Sequence, residues 1–442
     1  MLLKNLCAVL AILCPISLKA QAPPPPNPNP EVVAGIPVNY DEAKTGPYTL
    51  PDALTLQNGK PVRDAKTWWS KRRPEIVTLF ETQQFGRAPG RPSGESFDIF
   101  DKGTPALDGK AIRKQVRIYL NAQETGPSIQ LLIYLPAAAK KPVPMFFSIN
   151  FSAVQTAVDD PGVKPETVWD QKTGTRIGPA GFAKRIGHID VQALLAAGFG
   201  VATYYYGDID PDMPNGFPNG IRAQYQKSGQ KDRNPDDWGT IAAWAWGMSR
   251  VQDYFEADPQ IDAKRVAIHG ISRLGKTVMW AGAHDQRFAA VIASCSGEGG
   301  AALSHRNYGE TIAHLTAPDR FPYQFAANYA KHGGFPDKAP FDANLLIALI
   351  APRPLLLQTG DTDKWSDPKG EWLAAVAAGP VYRLLGQQDL GAAEWPAVKQ
   401  PIPANLDHGI NYYMHDGGHG MVPSDWPVYV DFLKQHLHPE IP

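Results

Sequence analysis

Val266 to Met279 reads VAIHGISRLGKTVM, an apolar run that stops at Gly270 and passes through Ser272 directly into residues with helical spacing. A buried strand that feeds a helix without an intervening loop commits the chain to layers, with the helix packed back across a sheet. Such a turn lifts the Ser272 hydroxyl clear of the sheet, and the helix behind it offers free backbone N–H groups to an oxyanion. The usual pattern is G-x-S-x-G. Gly270 and Ser272 fit it, and Leu274 occupies the second glycine slot.

Two other readings compete for these residues. Gly270 to Thr277 also satisfies G-x-x-x-x-G-K-[ST], the phosphate-binding loop, with Gly275, Lys276 and Thr277 in register. A phosphate loop follows an early strand and needs a later strand ending in a magnesium-holding Asp, whereas this stretch comes late, behind a secretory signal. The plainer alternative makes Ser272 only a helix cap.

That signal occupies residues 1–20: Lys4, then the apolar run Leu6 to Ile16, then small and polar residues. The run is too short to span a bilayer, so a secreted or periplasmic location is expected and no membrane partner. Removal of the signal takes Cys7 and Cys14 with it and leaves Cys295 alone, so no internal disulfide can form. A formal net charge of -1 argues against nucleic acid as a partner. Eleven Trp and sixteen Tyr suit sugar or aromatic ligands, and suit core packing equally.

PPPPNPNP, from Pro23 to Pro30, predicts an extended spacer within a linker over 21–34, with one catalytic domain over 35–442. Trp68 to Arg87 predicts a helix of roughly five turns. Ser96–Phe100, Ala111–Leu120 and Ile129–Leu135 read as antiparallel strands, and Met145–Phe151 as the first buried one. From Ile186 strands and helices alternate: helix Ile189–Ala197, strand Phe199–Tyr205, helix Pro235–Phe255, the Ser272 turn, and strand Ala289–Ser294. Strands Arg353–Thr359 and Val381–Leu385 follow, and helix Trp426–Leu437 closes the chain. The expected fold is an α/β-hydrolase three-layer sandwich with a mostly parallel central sheet and antiparallel strands at its N-terminal side. Phe151–Arg185, Tyr206–Pro235 and Gly299–Ala348, rich in Gly, Pro, Asn and Asp, are insertions expected to line a cleft.

Such a fold orders its triad serine, acid, histidine along the chain. After the strand ending at Thr359 come Gly360, Asp361, Thr362 and Asp363, where the acid belongs. Before the last helix, Gly417-Gly418-His419-Gly420 is a flexible turn suited to the base, while His408 and His415 read as polar loop residues. No H-E-x-x-H or paired-cysteine site is present, so neither metal nor other cofactor is expected.

GISRLGK at Gly270 to Lys276 resembles the G-x-S-R-x-G-K elbow of the glucuronoyl esterases, a carbohydrate esterase family cutting the ester between xylan-borne (4-O-methyl-)glucuronate and lignin alcohols. NYDEAKTGPYTLPDAL, WWSKRRPEI, GDTDKWSDPKG and GGHGMVPSDW resemble the same family, especially its bacterial members. The resemblance implies Ser272 as nucleophile, His419 as base and Arg273 as an aid to the oxyanion. It also implies Lys276, Glu310 and Trp365 as sugar-binding residues. The position of the fungal acid, in the loop after the strand following the elbow, aligns with Cys295. That leaves Asp363, third after Gly360, as the acid, with Asp361 shaping the turn and Glu298 as a rival three residues beyond Cys295. The expected protein is a monomeric secreted esterase acting on glucuronoxylan–lignin esters. A carbohydrate acetyl or feruloyl esterase, or a non-catalytic polysaccharide-binding protein on the same fold, are the alternatives.

Overall fold

The computed structural model describes residues 29–178, 188–227, 229–230, 233–395 and 406–440. The expected signal, Cys7, Cys14, residues 23–28 of the proline run and residues 179–185 of the first insertion lie outside them.

Among the described residues nine strands form one sheet: β1 Ser96–Ala106, β2 Ala111–Tyr119, β3 Ser128–Pro136, β4 Val143–Asn150, β5 Gly200–Tyr205, β6 Ile261–Ile271, β7 Ala290–Ser294, β8 Leu355–Gly360 and β9 Ile410–His415. Their order is β9-β8-β7-β6-β4-β5-β3-β2-β1. β1, β2 and β3 pair antiparallel, β3 meets β5 antiparallel, and the remaining contacts are parallel. Side chains alternate across a pleated strand, so one apolar strand can feed two cores. Met145, Phe147, Val266, Ile268, Leu355 and Leu357 enter one cluster, and Phe146, Ala267 and Leu356 enter the other.

The first cluster is covered by α1 Arg73–Gln83, with α3 Thr240–Ala257, α4 Arg273–His284, α5 Ala343–Ile350 and α6 Pro368–Leu384; the second by α2 Val191–Ala196 and α7 Asp425–Leu437. This gives the expected three layers, with the ends of the parallel strands gathering the loops that carry chemistry.

Three expectations need correcting. Val381–Leu385 is not a strand: Val381 and Tyr382 continue the buried face of α6, in helical step with Ala374, Ala375 and Ala378. A five-residue stretch with four apolar residues does not distinguish strand from buried helix, and the true neighbour of β8 is β9, at whose end lies His415. The spacer also ends earlier than residue 35. Asn29 donates to the Thr362 carbonyl at 3.1 Å and accepts from the Trp365 N–H at 3.1 Å, Tyr40 donates to the Pro30 carbonyl, and Val32–Val33 pairs with Ile36–Pro37. The helix expected from Trp68 to Arg87 instead occupies Ala65–Gln83, passing through one wider π-helical turn at Trp68–Arg72.

Candidate active site

Ser272 is the single residue between β6 and α4, with φ 59° and ψ −126°. A non-glycine residue in this left-handed region costs about 1–3 kcal/mol, which surrounding contacts must offset. Its N–H donates to the Ser294 carbonyl at 2.8 Å, and its carbonyl accepts from the Lys276 N–H at 3.0 Å. The turn also demands absent side chains beside it: a Cβ on Gly270 would lie 2.3 Å from the Leu274 carbonyl oxygen. The departure at Leu274 is accommodated one residue on, where a Cβ on Gly275 would meet the Ser294 carbonyl oxygen at 2.9 Å. Gly270 to Thr277 is therefore strand end, one turn residue and helix, with no loop to wrap a phosphate.

The Asp363 Oδ2 lies 2.7 Å from the Nδ1 of His419, and the Ser366 Oγ lies 3.1 Å from the same nitrogen. Asp363 is buried and the His419 ring is partly exposed. Burial raises the Asp363 pKa, but hydrogen bonds and charge from His419, with bonds from Ser366, outweigh it and hold the carboxylate below its ordinary range. Asp361 accepts from the Gly417 N–H at 2.8 Å, so it ties the acid loop to the histidine loop and shapes the turn, as expected.

Cys295 stands at the end of β7, with its Sγ, an Asp363 oxygen and a His419 ring nitrogen all within 4.8 Å of one another. Burial pushes its thiol well above the ordinary value, so it faces the histidine as an uncharged group. Its sulfur accepts from the Gly420 N–H at 3.4 Å. Glu298 is directed elsewhere, accepting from Ser304 Oγ at 2.6 Å and Tyr329 OH at 2.7 Å.

Burial pushes Glu298 up to about 8, and does the same to Glu371, a residue of α6 that accepts from the Gly297 N–H at 2.7 Å. Both carboxyls bind protons more tightly folded than unfolded, where a glutamate titrates near about 4.3. Folding stability is therefore undiminished below that value and is lost as pH rises toward about 8. Glu298→Gln, which can still accept both hydroxyl bonds, should flatten the fall of Tm between about pH 5 and 8 while changing kcat less than about threefold. An unchanged Tm slope would show that Glu298 is not the titrating group.

Arg273, beside Ser272, pairs with Asp212 and stacks over the Phe321 ring at 4.5 Å. Asp212 also accepts from Tyr206 OH at 3.1 Å, Tyr323 OH at 3.0 Å and Gln324 Nε2 at 2.6 Å. Burial works against the guanidinium charge, but Asp212 and its neighbours more than compensate and raise its pKa. One buried carboxylate thus orients the arginine and staples two insertions to the elbow. Sequence reasoning missed Asp212 and Glu371; their partners lie far off in the chain, and no local pattern marks either one.

The three expected sugar-binding residues also converge. Lys276 Nζ, on the buried side of α4, lies 3.5 Å from Glu310 Oε2, and Arg320 Nη2 lies 3.5 Å from Glu310 Oε1. The Glu310 N–H donates to the Trp365 carbonyl at 2.8 Å, and the half-buried indole sits 5.4 Å from the His314 ring. None of the three lines the large cavity of about 990 Å³ that opens beside Ser272, Arg273 and His419. Its walls carry aromatic and apolar side chains, Phe151, Trp169, Tyr206, Met421 and Trp426 among them, interspersed with the polar Asp170, Lys172, His188 and Asp190.

A family profile described as "Glucuronyl esterase, fungi" matches residues 223–386. The chain is 45% identical over 408 residues to the carbohydrate esterase MZ0003 of an unknown prokaryotic organism, covering 90% of this chain and 92% of that protein. It superposes with a TM-score of 0.83 on a glucuronoyl esterase from Solibacter usitatus, at 42% identity over 89% of this chain and all of the other. A promiscuous CE15 esterase from a marine bacterial metagenome gives a TM-score of 0.79 at 43% identity, over 90% of this chain and all of that one.

Proposed function

Because the chain belongs to the glucuronoyl esterase family and carries its α/β-hydrolase fold, we propose that it is a serine esterase cleaving the ester between (4-O-methyl-)glucuronate of xylan and lignin alcohols. The observation that carries this reading is the two-sided site around Ser272: a buried Lys276–Glu310 pair, tied through the Glu310 backbone to Trp365, on one side, and a cavity rich in aromatic side chains on the other. The first offers charged and polar partners to the hydroxyls of a uronate ring, and the second takes a bulky, apolar alcohol.

In the proposed cycle Ser272 Oγ attacks the uronate carbonyl carbon while His419 Nε2 takes its proton. The Nδ1–H of His419 donates to Asp363, which fixes the tautomer and stabilises the imidazolium. The oxyanion is met by the backbone N–H groups opening α4 and by the Arg273 guanidinium. The tetrahedral adduct collapses with the C–O bond to the alcohol breaking, and His419 returns the proton to that oxygen. Water then attacks the acyl-serine by the same route, releasing glucuronate and restoring Ser272. No step calls for a metal.

The test compares turnover of a benzyl glucuronate ester with that of acetylated xylan, and the first is expected to be far faster. Lys276→Ala should weaken the glucuronate reaction about ten- to a hundredfold, the worth of a charged hydrogen bond, and barely touch a simple aryl acetate. Arg320 still faces Glu310 in that variant, so the buried carboxylate keeps a partner. Equal losses on both substrates would make Lys276 structural. An acetyl or feruloyl esterase is the second reading, favoured by the size of the aromatic cavity, and preference for acetylated xylan would establish it.

Export to the periplasm or the medium is the proposed setting, supported by the amino-terminal apolar run. Among the described residues no helix is long and apolar enough to cross a membrane. A monomer is proposed.

A further inference from the structure

Two histidines lie buried beneath the site, in opposite surroundings. His269, on β6, faces hydroxyls, with Ser148 Oγ at 2.9 Å from Nδ1 and Ser294 Oγ at 3.4 Å from Nε2. Burial alone drives its pKa down to about 3, so it is neutral. His415, the last residue of β9, faces acceptors on both ring nitrogens. Its Nδ1 lies 3.0 and 3.1 Å from the two carboxylate oxygens of Asp425, and its Nε2 lies 3.0 Å from the Gly418 carbonyl oxygen.

A ring with an acceptor on each nitrogen needs a proton on each. The Gln358 amide nitrogen also comes within 3.0 Å of Nδ1, but its hydrogens have the carbonyls of Thr359 at 3.1 Å and Gly420 at 3.4 Å. Its Oε1 is meanwhile the acceptor for Tyr429 OH at 3.2 Å. A neutral Nδ1 accepting from Gln358 would set its lone pair against the Asp425 carboxylate, a repulsion the imidazolium removes.

These contacts bracket the proposed base. Gly418 and Gly420 flank His419, and their carbonyls are held by His415 and Gln358 respectively. Asp425, at the start of α7, further accepts from the Val422 N–H at 2.8 Å, and so closes the loop from its other end. The glycines on either side have no side chains of their own to fix the backbone, and Gly417 and Gly420 both adopt positive φ.

Resting on the assignment of His419 as the base, we propose that His415 is a standing imidazolium which, paired with Asp425, acts as a positioning residue for the His419 loop, so that losing its proton at alkaline pH misplaces the base. The charged groups facing it are Asp425 from α7 and Asp361 from the acid loop; Gln358 of β8 is an uncharged neighbour that also meets Tyr429 of α7 and Cys295 just beyond β7, both kept uncharged by burial, and Asp416 beside it in the chain is exposed. Burial opposes the charge, but hydrogen bonds to Asp425 and the Gly418 carbonyl, with the charges of Asp425 and Asp361, outweigh it and raise the pKa. The sign follows: the charged bridge is intact below the ordinary histidine value of about 6.5 and is lost as pH rises through the higher folded value.

The experiment is nitrogen NMR of the full chain labelled at histidine, with the pH profile of kcat on a benzyl glucuronate ester measured alongside. A ring protonated on both nitrogens at neutral pH is expected, assigned by its loss in His415→Gln. Wild-type kcat should fall on the alkaline side. In His415→Gln it should drop about ten- to a hundredfold, the cost of a misplacement of about 1 Å, with KM within about twofold and the alkaline limb gone. Should that variant not fold, Asp425→Asn keeps the ring and must shift its resonances and move the limb to lower pH. A neutral His415 at pH 7 in a wild-type protein that turns over ester would overturn the inference alone, as would variants with unaltered kcat profiles. A wild-type protein inert toward every ester would overturn the esterase reading instead.

Discussion

Replacing Ser272 by alanine should lower kcat on a glucuronate ester by about 10⁶, or about 8 kcal/mol of lost transition-state stabilisation, while leaving the fold and substrate affinity in place. The substitution removes one oxygen and keeps the Cβ, so the strained turn at φ 59° and the bond from its N–H to Ser294 are untouched. Lys276, Glu310 and Trp365 keep their contacts, so a ground-state sugar should bind the variant as it binds the native chain. What remains is whatever the N–H groups opening α4 and the Asp212-held Arg273 contribute to attack by water, which in a serine hydrolase leaves about 10³ to 10⁴ over the uncatalysed reaction. Residual activity above about 1% of wild type, with contaminating esterase excluded by titrating active sites, would mean that another group attacks the ester.

How far this site was legible depends on how local each constraint is. Gly270 and Ser272 could be read because the turn needs a missing Cβ and a hydroxyl within three residues, and the order Ser272, Asp363, His419 follows from a fold whose strand–helix alternation is written in the hydrophobic period. Asp361 and Asp363 were separable by their step from Gly360, and Glu298 lies three residues from the slot that Cys295 fills. The missed features are those whose meaning arises between distant segments. Asp212 is one aspartate in a loop rich in them until Arg273, Tyr206, Tyr323 and Gln324 close around it. His415 reads as a loop residue because it follows Tyr412, Tyr413 and Met414 and precedes an aspartate and two glycines, yet pairing with β8 makes it the end of a strand. Val381 and Tyr382 fail in the reverse sense, β-favouring residues whose place was decided by packing on α6. Asn29, at the edge of a proline run, is claimed by the fold through the acid loop it clasps.

That clasp bears on the second large effect, which concerns Asp363. Asp363→Asn should cut kcat by about 10⁴, as the same change does in a serine protease, with little change in stability. The loop is held independently of the carboxylate: the Asp363 N–H donates to Gly360, Lys364 to Thr362, and Asn29 binds both Thr362 and Trp365. An asparagine fits the same space, but its amide can turn N–H toward Nδ1 of His419. That favours the tautomer whose proton sits on Nε2, where the base must be free to accept from Ser272. Ser366 does not rescue it, since a hydroxyl 3.1 Å from Nδ1 can accept a bond and carries no charge to steady an imidazolium. Cys295 does not either, because burial keeps its thiol protonated. The loss should therefore fall on kcat and not on KM, and Glu298→Gln should by comparison leave turnover nearly intact, because its carboxyl bonds Ser304 and Tyr329 and never faces the histidine. If the two variants reversed in effect at matched stability, the loop after β7 would carry the acid despite the 2.7 Å bond from Asp363 to His419.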